Sequence, residues 1–437
     1  MSAFTIGVRG CQHLGYDAAG YRCSRTTGWG MRVTDGHIAH AMGAQSMLDA
    51  EVDVVVDGGD LFHWARPMAR DIDAALRTDD LLAAAGIPRF GNTGNHDASI
   101  GLDLAASAVM HRPELGFRAV YPTTNRAGQG VGPHPGFYEI HHPAEGIALH
   151  IVSHYGLDPA LADQGIVIDP RPVPGMVNLL IAHGITVLEE KLYRVLDAHG
   201  EPRTIPVDWF GRGFDAHPIS DFHTMGGVTG RESGSGWVAY TGSAVRRGFS
   251  DEACARGWLK IVVDSSGVTY EPQVCWQRPQ FDLPVIDASS RSVDDIASII
   301  EANLAGVALV DDETAELTGD GGVVVRQRIR NATPAQRAGV RSMDSRFRNL
   351  ASEAIWWGLH FPLVPAAAPV LSRSGSTSPG LGVRRTNFAG ELKQRGDRLA
   401  AALNLPVPMR AAALAGATTI TESIVVEDTT AERETPA

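Results

Sequence analysis

Four short polar motifs, each just past an apolar run, constrain this chain more than any other feature. QHLGY (12–16) follows the run that begins at Phe4. DGGDLFH (57–63) follows VDVVV (52–56), GNHD (94–97) follows the short segment 88–90, and IAHG (181–184) ends the run VNLLI (177–181). Apolar runs of this length, bounded by Gly-bearing turns, read as buried strands. Helical patterns lie between them, over 71–85 and over DGHIAHAMGAQSMLDA (35–50), where Asp35 stands at the N-cap position. Alternation of strand and helix predicts a layered α/β fold. Loops at the C-terminal ends of such strands converge on one crevice. The expectation is that His13, Asp60, Asn95, His96 and His183 meet there.

Those residue types suit one chemistry. Cleaving a phosphodiester requires neutralised charge on the phosphoryl oxygens and a hydroxide nucleophile at neutral pH. Two divalent ions about 3.5–4 Å apart supply both. Such a pair takes a bridging carboxylate, imidazoles and an amide oxygen, which Asp60, His13, His183 and Asn95 provide. His96 could protonate the leaving alkoxide. Taken singly, each motif has an ordinary explanation: GNHD as an Asx-turn, GGD as a tight turn, a lone His as a core residue. Their joint order points to the site.

In that order the motifs resemble the calcineurin-like metallophosphoesterases. More narrowly they resemble the SbcD/Mre branch, the nuclease subunits of double-strand-break repair. HLGY and GGDLFHWARP are similar to that branch's first two motifs. DFHTMGGVTGRESGSGWVAYTGSAVRRGFSDE (221–252) resembles its last metal motif and the element after it, and WQRPQFD (276–282) its turn into a DNA-capping domain. The likeness spans 4–345. It implies a metallophosphoesterase sandwich of central sheets flanked by helices over 1–281 and a smaller α+β capping-like domain over 282–342. A helical region, 343–417, and an acidic disordered tail, 418–437, follow. It implies a metal-dependent DNA exonuclease or endonuclease working by metal-bound hydroxide, with one or two ions: Mn²⁺ by resemblance, a single ion or Zn²⁺ being the other options. The implied partners are DNA, an SbcC-type coiled-coil ATPase and a second copy of the chain. The helix-like stretch NFAGELKQRGDRLAAALNL (387–405) is either a docking surface for that ATPase or packing on the chain's own core.

The family's first motif is Asp-x-His, and here Cys11 holds the Asp place. Its last is Gly-His-x-His, which this reading lays on Gly226-Gly227-Val228-Thr229, so that Cys11, Gly227 and Thr229 are degenerate metal positions. One metal would then lose two ligands and the other one. His223 is the candidate rescue ligand, with His63, Asp17 and His154 behind it. The retained His96, Asn95, Asp60 and His183 favour an enzyme. The losses favour the alternative, a homologue that binds DNA or an ATPase without cleaving. A nucleotide phosphoesterase is disfavoured by the capping-like domain.

Composition sets the outer limits. The 437 residues exceed one ordinary core. The four cysteines are scattered with no CxxC pair, which argues against a disulfide framework and fits a reducing compartment. No stretch reaches membrane-spanning length and the start, MSAFTIGVRG, is not signal-like, so a cytoplasmic protein is expected. The formal net charge of -12 means nucleic acid must be held by local patches. Arg246 and Arg247, and Arg326, Arg328 and Arg330 on one strand face, are the candidates.

Overall fold

The computed structural model describes residues 3–18, 20–25, 27–98, 105–121, 134–186, 203–228, 230–249 and 255–362. The expected tail, the stretch 387–405 and Thr229 lie outside them.

In chain order the first part runs β1 (Phe4–Arg9), α1 (Met31–Asp49), β2 (Val54–Asp57), α2 (Ala69–Ala84), β3 (Arg89–Gly91), β4 (Phe117–Ala119), β5 (Tyr138–His141), β6 (Ile147–Val152), β7 (Val177–His183), β8 (Ala216–Ser220), β9 (Met225–Gly227), β10 (Trp237–Thr241), β11 (Gly257–Asp264) and β12 (Gly267–Val274). They form two six-stranded sheets, ordered β12-β11-β1-β2-β3-β4 and β5-β6-β7-β8-β10-β9. In the first, β1 to β4 are parallel. In the second, β6, β7, β8 and β10 are parallel.

The sheets pack face to face. Ile6, Val8, Val54 and Val56 from one meet Leu149, Ile151, Leu179, Ile181 and Ala239 from the other, all within one buried cluster. The intervening Val55 faces the opposite way, into a cluster with Met47 of α1 and Leu82 of α2. Both faces of β2 are therefore buried, which is why VVV is a continuous apolar run rather than an alternation. The outer face of the second sheet is covered by Trp209, Phe210 and Phe214.

A third sheet follows, all parallel, ordered β13-β14-β15: β13 (Gln280–Asp287), β14 (Val324–Arg330) and β15 (Trp356–His360). Helices α3 (Val293–Ala305), α4 (Asp312–Thr318), α5 (Pro334–Ser342) and α6 (Asp344–Leu350) accompany it. Its core joins Leu283, Ile300, Val325 and Phe347 to Trp357. The α+β unit therefore runs past the expected edge at 342. Within the region expected to be helical, 344–350 is helix but 356–360 is the strand that completes this sheet. Pairing with β14, far away in sequence, overrides the local pattern.

Asp35 is not a helix cap. Helix α1 begins four residues earlier, with Gly30 at its N-cap. Asp35 is instead fully buried and ion-paired to Arg32 and Arg278 (2.8 Å each). Arg278 also donates to the backbone oxygens of Asp320 and Gly322 and to Thr318 Oγ1. This bolts the third sheet's unit to α1. Among the described residues no helix is long and apolar enough to cross a membrane.

Candidate metal centre

The strands β1, β2, β3, β7 and β8 all deliver their C-terminal ends to one place. Asp60 is at its middle. Its Oδ2 lies 3.6 Å from His13 Nε2 and 3.5 Å from His183 Nε2. Asn95 Oδ1 is 3.2 Å from the same His183 nitrogen. Two donors bound at about 2.0–2.1 Å to one tetrahedral ion lie roughly 3.3–3.4 Å apart, so these spacings suit shared ligation. His183 Nδ1 donates to Gly58 O at 2.8 Å, leaving Nε2 for the centre. His96 is alongside: its N–H donates to Asp60 Oδ1 (2.9 Å) and its Nδ1 to His63 O (2.8 Å), so Nε2 is the outward atom.

Asp97 ties two of the loops together. It accepts from the backbone N–H groups of Asp60 (2.8 Å), Phe62 (2.9 Å) and Gly94 (3.0 Å). Gly94 must stay bare, because a Cβ there would collide with Asp60 Oδ1 and stand 2.5 Å from its backbone nitrogen.

The expected place of the last motif is corrected. Gly226 and Gly227 are on β9, which pairs antiparallel with β10, and a Cβ at Gly227 would meet Glu232 and Tyr270, not the centre. The loop that enters the centre leaves β8 one turn earlier, at Ser220-Asp221-Phe222-His223, with the same Gly-His-x-His spacing. His223 Nε2 lies 3.2 Å from His13 Nε2, and Asp221 Oδ1 lies 4.0 Å from His183 Nε2. The carbonyl of His223 is held by buried Arg256. With this register none of the seven family positions is without a donor: Cys11, His13, Asp60, Asn95, His183, Asp221 and His223 are all ligand-capable. Sequence reading singled out His223 but missed Asp221 and Arg256. The signal for Asp221 is its place directly after a buried strand.

Donor atoms of Cys11, His13 and His223 lie within 4.8 Å of one another, as do those of Cys11, Asp60 and His183, and of His154, His183 and Asp221. Of the rescue candidates, His63 stacks on His96 with ring centroids 4.9 Å apart. Asp17 is exposed beside Gly30 and stays outside the centre.

The electrostatics match a cation site. Burial would lower the pKa of His183, but the neighbouring Asp60 carboxylate lifts it to about 9. Asp60 itself is held below the usual carboxylate range by His183 and His96, against the upward push of burial. A cation can replace the proton that this pair shares. Burial drives the Cys11 thiol well up and the His13 imidazole well down, the latter helped by Arg247. His13 is thus a neutral donor facing a second imidazole nitrogen at 3.2 Å. Two imidazole nitrogens this close either share one proton or, with both lone pairs turned inward, hold a divalent ion.

Backbone strain collects here too. Among the described residues six non-glycine residues have positive φ, and four are in the centre: Cys11 (48°), His13 (47°), Asp60 (57°) and Asp221 (110°). Each such residue costs on the order of 1–3 kcal/mol and persists only where its surroundings fix it.

The chain is 26% identical over 281 residues to the DNA double-strand break repair protein Mre11 of Haloferax volcanii. The match covers 63% of this chain and 54% of the Haloferax protein, so it spans about half of that relative's length. No family model matches the chain. Solved structures with some likeness include a purple acid phosphatase from yellow lupin seeds (12% identity, TM-score 0.38, covering 62% of this chain and 52% of that one). Another is a dimetal phosphatase from Danio rerio (12% identity, TM-score 0.32, covering 61% and 96%).

Around the centre, four of the candidate DNA-binding arginines divide. Arg247 exerts its charge on Cys11, His13 and Asp221. Arg246 is buried, stacked over Phe249. Arg326 lies over the same ring at 4.2 Å and forks onto Asp282. Arg328 also reaches Asp282, at 3.2 Å. Arg326 and Arg328 share a strand face, as alternation requires, but that face carries its own carboxylate.

Proposed function

We propose that the chain is a metal-dependent DNA nuclease subunit of the SbcD/Mre type, hydrolysing phosphodiesters in repair or recombination. The observation that carries this reading is the convergence of seven donors from five strand ends, with Asp60 shared between two sets. His13, His223 and Cys11 flank it on one side, and His183, Asn95 and Asp221 on the other. These residues would hold a divalent ion, which would supply charge neutralisation at the phosphoryl oxygens and a more acidic water. The chain's own residues do the rest. Asp60 anchors both halves, and Asp97 fixes the loops that carry Asp60 and Asn95. Arg247 attracts the phosphate, and His96 Nε2 gives a proton to the leaving alkoxide. The strained backbone supports a working site, since a vestigial one would have no reason to hold four left-handed residues. Mn²⁺ and an SbcC-type ATPase partner are part of this proposal by resemblance to the branch, and the 282–342 unit extended by β15 is its DNA-capping element.

The test is cleavage of end-labelled linear duplex DNA with Mn²⁺, with and without an added ATPase partner, beside Asp60→Ala and His96→Ala. The reading expects cleavage by the wild type, abolished in Asp60→Ala and strongly slowed in His96→Ala. Cleavage that persists in Asp60→Ala would refute the site. DNA binding without cleavage under any divalent ion would select the alternative, a non-cleaving homologue.

A further inference from the structure

The two halves of the centre are unlike in donor chemistry. On one side of Asp60 stand the Cys11 sulfur and two imidazole nitrogens, of His13 and His223, within 4.8 Å of one another. On the other stand the Asn95 amide oxygen (3.2 Å) and an Asp221 oxygen (4.0 Å) around His183 Nε2, with a His154 ring nitrogen within 4.8 Å of the His183 and Asp221 donors. We propose that Cys11, His13, His223 and Asp60 form a four-coordinate thiolate site for a soft divalent ion of the zinc class. Asp60, Asn95, His183 and Asp221 form a harder, oxygen-rich site for an ion such as Mn²⁺. The proposal rests on the metal-site part of the functional reading, and not on its DNA substrate.

Three observations support it. The first is donor type: thiolate with imidazole selects zinc-class ions, whereas carboxylate and carbonyl oxygens suit manganese-class ions. Sulfur in place of a carboxylate changes the selection while keeping one negative charge. The second is placement. Cys11 is only 1% exposed and sits in left-handed backbone at φ 48°. Its N–H is clamped to Gly59 O at 2.9 Å, in the loop that bears Asp60. The chain holds this thiol at a strained position beside two imidazoles, and it forms no disulfide. The third is compensation. The place where the family carries the first His of its last motif holds Asp221, so the harder half gains an oxygen and a charge as the softer half gains sulfur. With Cys11 as thiolate, its proton passed to solvent, the centre presents three anionic groups to two divalent ions.

The experiment uses the full-length protein, stripped of metal and titrated with Co²⁺, then with equimolar Zn²⁺ and Mn²⁺. The expected result is a near-ultraviolet sulfur-to-cobalt charge-transfer band with intense visible bands of four-coordinate cobalt. Cys11→Ser abolishes the sulfur band and Cys23→Ser leaves it unchanged. Competition loading should give one zinc and one manganese per chain. Cys11→Ser should weaken zinc binding by more than the roughly 10–100-fold that follows loss of an outer-shell partner. Cys11→Asp, which restores an oxygen, should bind manganese in both halves. Circular dichroism and melting temperature of both variants establish that they are folded. Cobalt bound without a sulfur band, or a sulfur band removed by Cys23→Ser, overturns the proposal. A sulfur band without DNA cleavage upholds it and sinks the nuclease reading instead. Cleavage without a sulfur band does the reverse.

Discussion

Replacing Asp35 with Ala should uncouple the third sheet's unit from the sandwich. The carboxylate is 0% exposed and serves two guanidiniums. Arg278 grips it through Nε (3.0 Å to each oxygen) and NH2 (2.8 Å), and Arg32 through NH1 (2.8 Å). Removing one partner of a buried pair costs about 3–5 kcal/mol, because the surviving charge stays buried without compensation. Here two charges survive, so the upper end, about 5 kcal/mol, is expected. The two pairs share one carboxylate and do not simply add. Against a whole-protein stability of about 5–15 kcal/mol this is large, and it falls on the anchor that Arg278 makes to Asp320, Gly322 and Thr318. Urea denaturation should show the loss, and limited proteolysis should gain a cut near residues 276–282. Adding Arg32→Met and Arg278→Met to Asp35→Ala should recover much of it, since a fully apolar replacement removes the stranded charges. A single Asp35→Ala variant within about 1 kcal/mol of wild type, with no new cut, would refute the reasoning.

Three further outcomes are expected. Gly94→Ala should push the Asp60 carboxylate out of place, costing about 1–3 kcal/mol of stability by overpacking and most of the bound metal, read by metal analysis. Arg247→Ala should lower cleavage efficiency by about tenfold or more, the worth of one charge-assisted contact, with the metal content unchanged. His150 bridges Tyr138 and Asn178 as a neutral ring (2.7 and 3.0 Å), and burial lowers its pKa to about 4. Unfolding raises it back toward about 6.5. The unfolded chain therefore takes up the proton first, so this stability is complete above about pH 6.5 and is lost as pH falls to about 4. The loss is roughly 3 kcal/mol, and His217, lowered to about 4 by its own burial, adds to the same window. Denaturation midpoints for His150→Gln should fall less steeply with acid than for wild type.

The fold was legible where burial was. VVV over 54–56 and VNLLI over 177–181 are apolar throughout because both faces are covered, and the ligand-bearing turns follow at once. His13, Asp60, Asn95 and His183 could be placed on that basis. The last motif could not, because two stretches six residues apart carry the same spacing. Only strand pairing distinguishes Ser220-Asp221-Phe222-His223, at the mouth of β8, from the stretch that begins with Gly226 and Gly227 on β9. Asp35 misled for a related reason. Its local pattern favours a cap, but its partner Arg278 is 243 positions away. β15 was hidden similarly, since its only reason to be a strand is β14.

Arg326, Arg328 and Arg330 are already spoken for by Asp282 and Asp287. A phosphate docking on that stripe would displace a protein carboxylate rather than a solution cation. Counterion release would then be smaller than a count of arginines suggests, and binding through this face would decline with added salt less steeply than one power of concentration per contact. Such a stripe would discriminate by geometry instead: the arginines would exchange Asp282 and Asp287 only for a ligand whose phosphates match the strand's spacing.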